Sequence, residues 1–78
     1  MHPEPSDMQR LVDRAFRDNG QVSRLDVILC AEALDLSDVI LGIVTLLPPG
    51  RYSRQRLCDQ LNSAITAHGY GSALGTVE

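Results

Sequence analysis

Apolar residues along the chain gather in four runs, and a serine stands just before each: Ser6, Ser23, Ser37 and Ser53. A serine hydroxyl accepts a hydrogen bond from the free amides of a helix's first turn, so each serine marks a helix start. Gln9, three residues past Ser6, completes the pattern of a capping box, and Asp26, three past Ser23, is a weaker relative of it. Val22, Leu36 and Tyr52 precede the last three serines, while Val27, Leu41 and Leu57 follow them by four residues, the spacing of hydrophobic staples. Three staples in register predict a chain of four helices.

The first helix is expected from about Asp7 to Asp18, with Met8, Leu11, Val12, Ala15 and Phe16 on one buried face. Asp13 with Arg17, and Arg14 with Asp18, are pairs four apart on its outer face; Asn19-Gly20 supplies a left-handed residue to end it. The second helix, about Arg24 to Leu34, carries two apolar stripes. Leu25, Ile28 and Leu29 form one, and Val27, Cys30, Ala31 and Leu34 form the other, which implies contact on two sides.

The third run, Ser37 to Leu47, is the stretch around which the others are expected to pack. After Ser37-Asp38, Thr45 is its only hydrogen-bonding side chain among Val39, Ile40, Leu41, Ile43, Val44, Leu46 and Leu47. A helix apolar on every side has to be surrounded, by its own fold or by a partner. The β-branched content would also suit a buried strand, but the Ser-Asp start and the lack of obvious partner strands favour a helix over about 38–47. Gly42 within it predicts a close crossing by another helix, and Pro48-Pro49 forbids continuation. The fourth helix, about Arg54 to His68, buries Leu57, Cys58, Leu61, Ala64 and Ile65, and ends at Gly69 and Gly71. The expected fold is therefore all-α: a compact four-helix domain over 6–69 with an apolar central helix. A flexible tail precedes it at 1–5, and a second tail follows at 70–78, where Ala73 to Val77 is a candidate short strand.

Several of these features recur together in a known pattern. They are the capped helix Ser23 to Leu34, the acidic turn Asp35-Leu36-Ser37-Asp38, the Leu47-Pro48 stop, and Tyr52-Ser53 before Leu57 of the last helix. In them the run from Val22 to Ile65, a little over half the chain, resembles a small domain family of unknown function common in Actinobacteria. Ser directly after Tyr, and Pro49-Gly50 in the turn, depart from that family's usual spacing. The resemblance implies a small helical fold and brings no catalytic residues with it.

Composition narrows the picture further. Seventy-eight residues make one domain near the lower limit for independent folding. The 44% apolar and 22% charged fractions belong to a globular chain, and a net charge of −3 argues against a bulk nucleic-acid binder. All seven basic residues are arginine, which a GC-rich bacterial genome explains. The apolar runs are too short to span a bilayer, Met1 to Pro5 has no signal-peptide character, and Cys30 and Cys58 read as buried thiols of a reducing cytoplasm, a disulfide between them being the alternative the sequence leaves open.

Candidate chemistry is sparse. The six glycines form no phosphate loop, neither cysteine has a base nearby in sequence, and no Cys/His set has metal-ligand spacing. His68 belongs to a helix C-terminus, where an imidazolium suits the dipole, and Asp35 and Asp38 to helix ends. Neither an enzyme, a cofactor nor a metal is expected. One segment breaks a local rule: Arg51, Arg54 and Arg56 crowd the start of the fourth helix, where the dipole is already positive. An anion there would relieve the conflict, although pairing with nearby acids or solvation outweighs a binding role about two to one. Tyr52 reads as a staple. Three functions follow, and the first is preferred: a non-catalytic protein-interaction module, self-association included, built on the surplus aliphatic faces. The others are nucleic-acid reading by the fourth helix through Arg54, Gln55, Arg56 and Asn62, which the acidity disfavours, and an anion or acidic-peptide site at that helix's N-terminus.

Overall fold

All four serines cap helices. In the computed structural model, which describes residues 6–70 and 74–78, Ser6 Oγ accepts from the Gln9 amide at 3.1 Å and Ser23 Oγ from Asp26 at 3.1 Å. Ser37 Oγ accepts from Ile40 at 3.4 Å and Ser53 Oγ from Arg56 at 3.2 Å. The helices they start are α1 (Asp7–Ala15), α2 (Arg24–Ala33), α3 (Asp38–Thr45) and α4 (Arg54–Ala67). The reciprocal capping box forms at Ser23, whose amide donates to Asp26 Oδ2 at 2.9 Å, and not at Ser6. Gln9 is drawn elsewhere: its side-chain nitrogen donates to Asp13 at 3.1 Å and to the Glu78 carbonyl at 2.8 Å. The tail expected at 1–5, and Gly71 and Ala73, lie outside the described residues.

The all-α expectation needs correcting, because the chain also builds a two-stranded antiparallel sheet. β1 (Gln21–Ser23) pairs with β2 (Arg51–Ser53) in the register Gln21↔Ser53, Val22↔Tyr52, Ser23↔Arg51. The cause is the capping itself. An N-cap residue has extended backbone, as Ser23 (ψ 167°) and Ser53 (ψ 165°) do, so the residues entering it are already strand-like. Val22 and Tyr52, the residues expected as staples, are 1% and 2% exposed and form the buried pair of the sheet.

This sheet exposes a repeat. Gly20-Gln21-Val22-Ser23-Arg24 and Gly50-Arg51-Tyr52-Ser53-Arg54 lie thirty positions apart, and each is reached by a five-residue loop, 16–20 or 46–50. The chain is thus two helix–strand–helix units, α1-β1-α2 and α3-β2-α4, joined through their strands.

Helix ends follow two rules. α2 and α4 close with paired backbone bonds around a left-handed residue: Leu36 N donates to Ala31 O and Asp35 N to Glu32 O, with Asp35 at φ 54°. Tyr70 N donates to Ile65 O and Gly69 N to Thr66 O, with Gly69 at φ 73°. α1 instead stops at Ala15, three residues before Asp18, and Gly20 is not left-handed. The chain has to straighten into β1, so Arg17 and Asp18 leave the helix and their expected pairs with Asp13 and Arg14 do not form.

The core draws on every element: Met8, Leu11 and Val12 from α1, Val27 and Ala31 from α2, Ile40, Ile43 and Val44 from α3, and Leu57, Leu61 and Ile65 from α4. α3 is a helix, but it is not enveloped. α2 and α4 pack on one side only, leaving Val39 43% and Leu46 61% exposed. A Cβ on Gly42 would meet nothing within 4 Å, so no helix crosses there. On α2 only the second stripe is covered; Leu25 and Leu29 stand 61% and 52% exposed, with Ile28 half-buried. The expectation of two-sided burial is corrected for both helices, because a two-unit fold of this size has too few elements to cover them.

Candidate functional site

The arginines at the start of α4 do not converge. Arg54 Nη2 donates to the Asp13 carboxylate on α1 and to the Glu78 carbonyl at 2.9 Å. The Arg56 guanidinium lies over the Tyr52 ring, 5.7 Å from its centroid. Arg51 is exposed on β2 opposite Ser23. The conflict with the helix dipole is thus answered by an acid, a carbonyl and a ring. Arg54, then Gln9, hold the Asp13 carboxyl below its ordinary value. Asp26 is lowered by the Ser23 amide first, then by its hydroxyl. Tyr52 is buried and donates its hydroxyl to the Pro48 carbonyl, which leaves it no role as a ligand contact.

Asn62, a candidate base contact, is also engaged. Its side-chain nitrogen donates to the Val77 carbonyl at 3.0 Å, and the Val77 amide donates to its oxygen at 2.8 Å. Gln9 treats the next residue alike, accepting from the Glu78 amide at 3.0 Å. Val77 and Glu78 are consequently anchored, with Val77 in the core and no strand over 74–77. Sequence reading missed this contact because it joins Gln9 to Glu78 across almost the whole chain, and nothing local to either residue signals it.

Neither cysteine forms a disulfide, and burial pushes the Cys58 thiol above its ordinary value, keeping it protonated at neutral pH. His68 caps α4, and its ring lies against that of Tyr70 with centroids 6.5 Å apart. The helix–loop–helix outline invites comparison with calcium-binding loops, in which a glycine holds position six and oxygen ligands positions one, three, five, nine and twelve. Counted from Gly20, those positions are Ala15, Arg17, Asn19, Ser23 and Asp26; counted from Gly50 they are Thr45, Leu47, Pro49, Ser53 and Arg56. Neither set fits a cation, and Ser23 and Asp26 are spent on each other. Among the described residues no group of three or more His, Cys, Asp or Glu is placed to hold a metal.

What stands out is apolar. Val39 and Gly42 of α3 and Leu46 just past it line a shallow groove of about 280 Å³ with Asp38, His68 and Tyr70. On α2 Leu25 and Leu29 are exposed as well, and the first residue of that helix donates from Arg24 Nη1 to the Leu47 carbonyl just past α3. No helix among the described residues is long and apolar enough to cross a membrane. No family model, curated protein or solved structure matches the chain.

Proposed function

We propose that the chain is a non-catalytic protein-interaction module of the cytoplasm that docks through the outer faces of α2 and α3, a second copy being the first partner to test. One observation carries the reading: Leu25, Leu29, Val39 and Leu46 stay in water although the core is closed without them. The resemblance of Val22–Ile65 to a small helical domain family, which brings no catalytic residues with it, is in keeping with it. Reading of nucleic acid by α4 draws little support, since Arg54 and Asn62 already serve Asp13 and the tail. An anion site at Arg51, Arg54 and Arg56 is weakened because the three diverge.

Sedimentation equilibrium of the intact chain tests the proposal. Association that is lost in Leu29→Glu and Leu46→Glu, with the fold kept, is the expected result. A clean monomer at high micromolar concentration, with no protein captured through these residues, would defeat it. A gel shift at low salt separates the nucleic-acid reading, because phosphate-driven binding is strongest there.

A further inference from the structure

Asn19-Gly20 loses the capping role its sequence implies, because α1 has already ended at Ala15 and neither residue is left-handed. What remains is a reactive pair. The backbone nitrogen of the residue after an asparagine can attack its side-chain carbonyl carbon, and a glycine there puts no Cβ in the way. Three features of the loop 16–20 keep that path open. Both residues are exposed to solvent. The Gly20 N–H takes part in no loop or cap bond among the described residues, so no backbone acceptor holds it back. The space around Gly20 is empty as well, since a Cβ there would meet nothing within 4 Å. Asn62, the other asparagine of the chain, is the opposite case. Val77 holds both ends of its carboxamide, at 2.8 and 3.0 Å, and the next amide, that of Ser63, lies inside α4. In the second unit Pro49 stands where Asn19 does, so the same reaction is closed to the loop 46–50.

We propose that Asn19 is a site of spontaneous deamidation and that the reaction loosens the entry to β1. The Gly20 amide gives its proton to hydroxide, and its nitrogen attacks Asn19 Cγ. The new C–N bond closes a five-membered succinimide, and the side-chain nitrogen leaves as ammonia. Water then opens one of the two ring carbonyls, and nothing is oxidised or reduced. Opening at Cγ leaves aspartate. Opening at the backbone carbonyl leaves isoaspartate, in which the chain runs through the former side chain and is one carbon longer. Both products add a negative charge beside Asp18. Only isoaspartate also moves the backbone, two residues before Gln21 opens the pairing with β2 that leads into the Ser23 cap. The inference is independent of the docking reading.

The test holds the intact chain in warm, mildly alkaline buffer and follows the tryptic peptide Asp18–Arg24 by mass spectrometry, in which conversion adds one mass unit and isoaspartate elutes apart from aspartate. Asn19 should convert within about tenfold of its rate in the chain unfolded by guanidinium chloride, whereas Asn62 has to wait for α4 to open locally. Gly20→Ala, which meets no obstacle in the fold, should slow conversion at least about tenfold, because its Cβ hinders the approach of the nitrogen. Asn19→Gln, whose longer side chain needs a six-membered ring, should keep its mass over the same period. The purified isoaspartyl chain should melt at least about 4 °C below Asn19→Asp, which carries the charge without the extra carbon. Slower conversion in the folded chain, a smaller effect of Gly20→Ala, equal conversion of Asn19→Gln or a smaller shift in melting would each overturn the proposal.

Discussion

Replacing Gly42 with alanine asks directly whether α3 is covered. The residue is the fifth of eight in α3, lies outside the left-handed region, and a Cβ there would meet nothing within 4 Å. Neither strain nor a clash opposes the change, so the intrinsic preference of a helix for alanine, about 0.8–1 kcal/mol, should come through almost whole. For a domain of this size that corresponds to a rise in Tm of roughly 4–8 °C. Thermal melts and urea titrations of the two chains, at the same low concentration, measure it. Unchanged or lower stability would mean that something packs on Gly42, and the exposed-face argument would fall with it. The substitution also adds a methyl to the groove beside Leu46, so a partner fitted to that groove should bind less well to a chain that is itself more stable.

Other expectations follow from named contacts. Asp35 holds φ 54° at the end of α2, so Asp35→Gly should gain about 0.5–1 kcal/mol in urea unfolding, whereas Asp35→Val should lose at least as much. Leu61→Ala, at a fully buried position, should cost about 2–5 kcal/mol by the same assay. Asp26 is lowered by the Ser23 amide, so its stabilisation is complete above its unfolded value and is lost as pH falls through the folded one. Asp26→Ala should therefore be less stable than the unmodified chain near neutrality, and the gap should close below about pH 4. A gap that persists in acid would show that the carboxylate's charge is not what the cap uses.

Much of the fold could be read from local chemistry. The serine caps, the buried faces of α1 and α4 and the stop at Gly69 all depend on residues within one helical turn of each other. What escaped was non-local. Strands of three residues, the last of each committed to a cap, are too short to show alternation. They were marked instead by the repeated Gly-x-apolar-Ser-Arg of 20–24 and 50–54. The exposure of Val39 and Leu46 was beyond reach as well, because an all-apolar sequence states that α3 wants cover without saying that the fold supplies too little. At the arginine segment, composition showed the conflict with the dipole; only the tertiary fold could bring Asp13 to Arg54.

Ser23 and Ser53 each finish a strand and begin a helix, and the two strands hold hands across thirty residues. Loosening one cap therefore tugs on the opposite strand and, through it, on the opposite cap. The starts of α2 and α4 should then melt as a single event, and a chain cut in half between the units would leave each half with an unzipped edge and an unanchored helix.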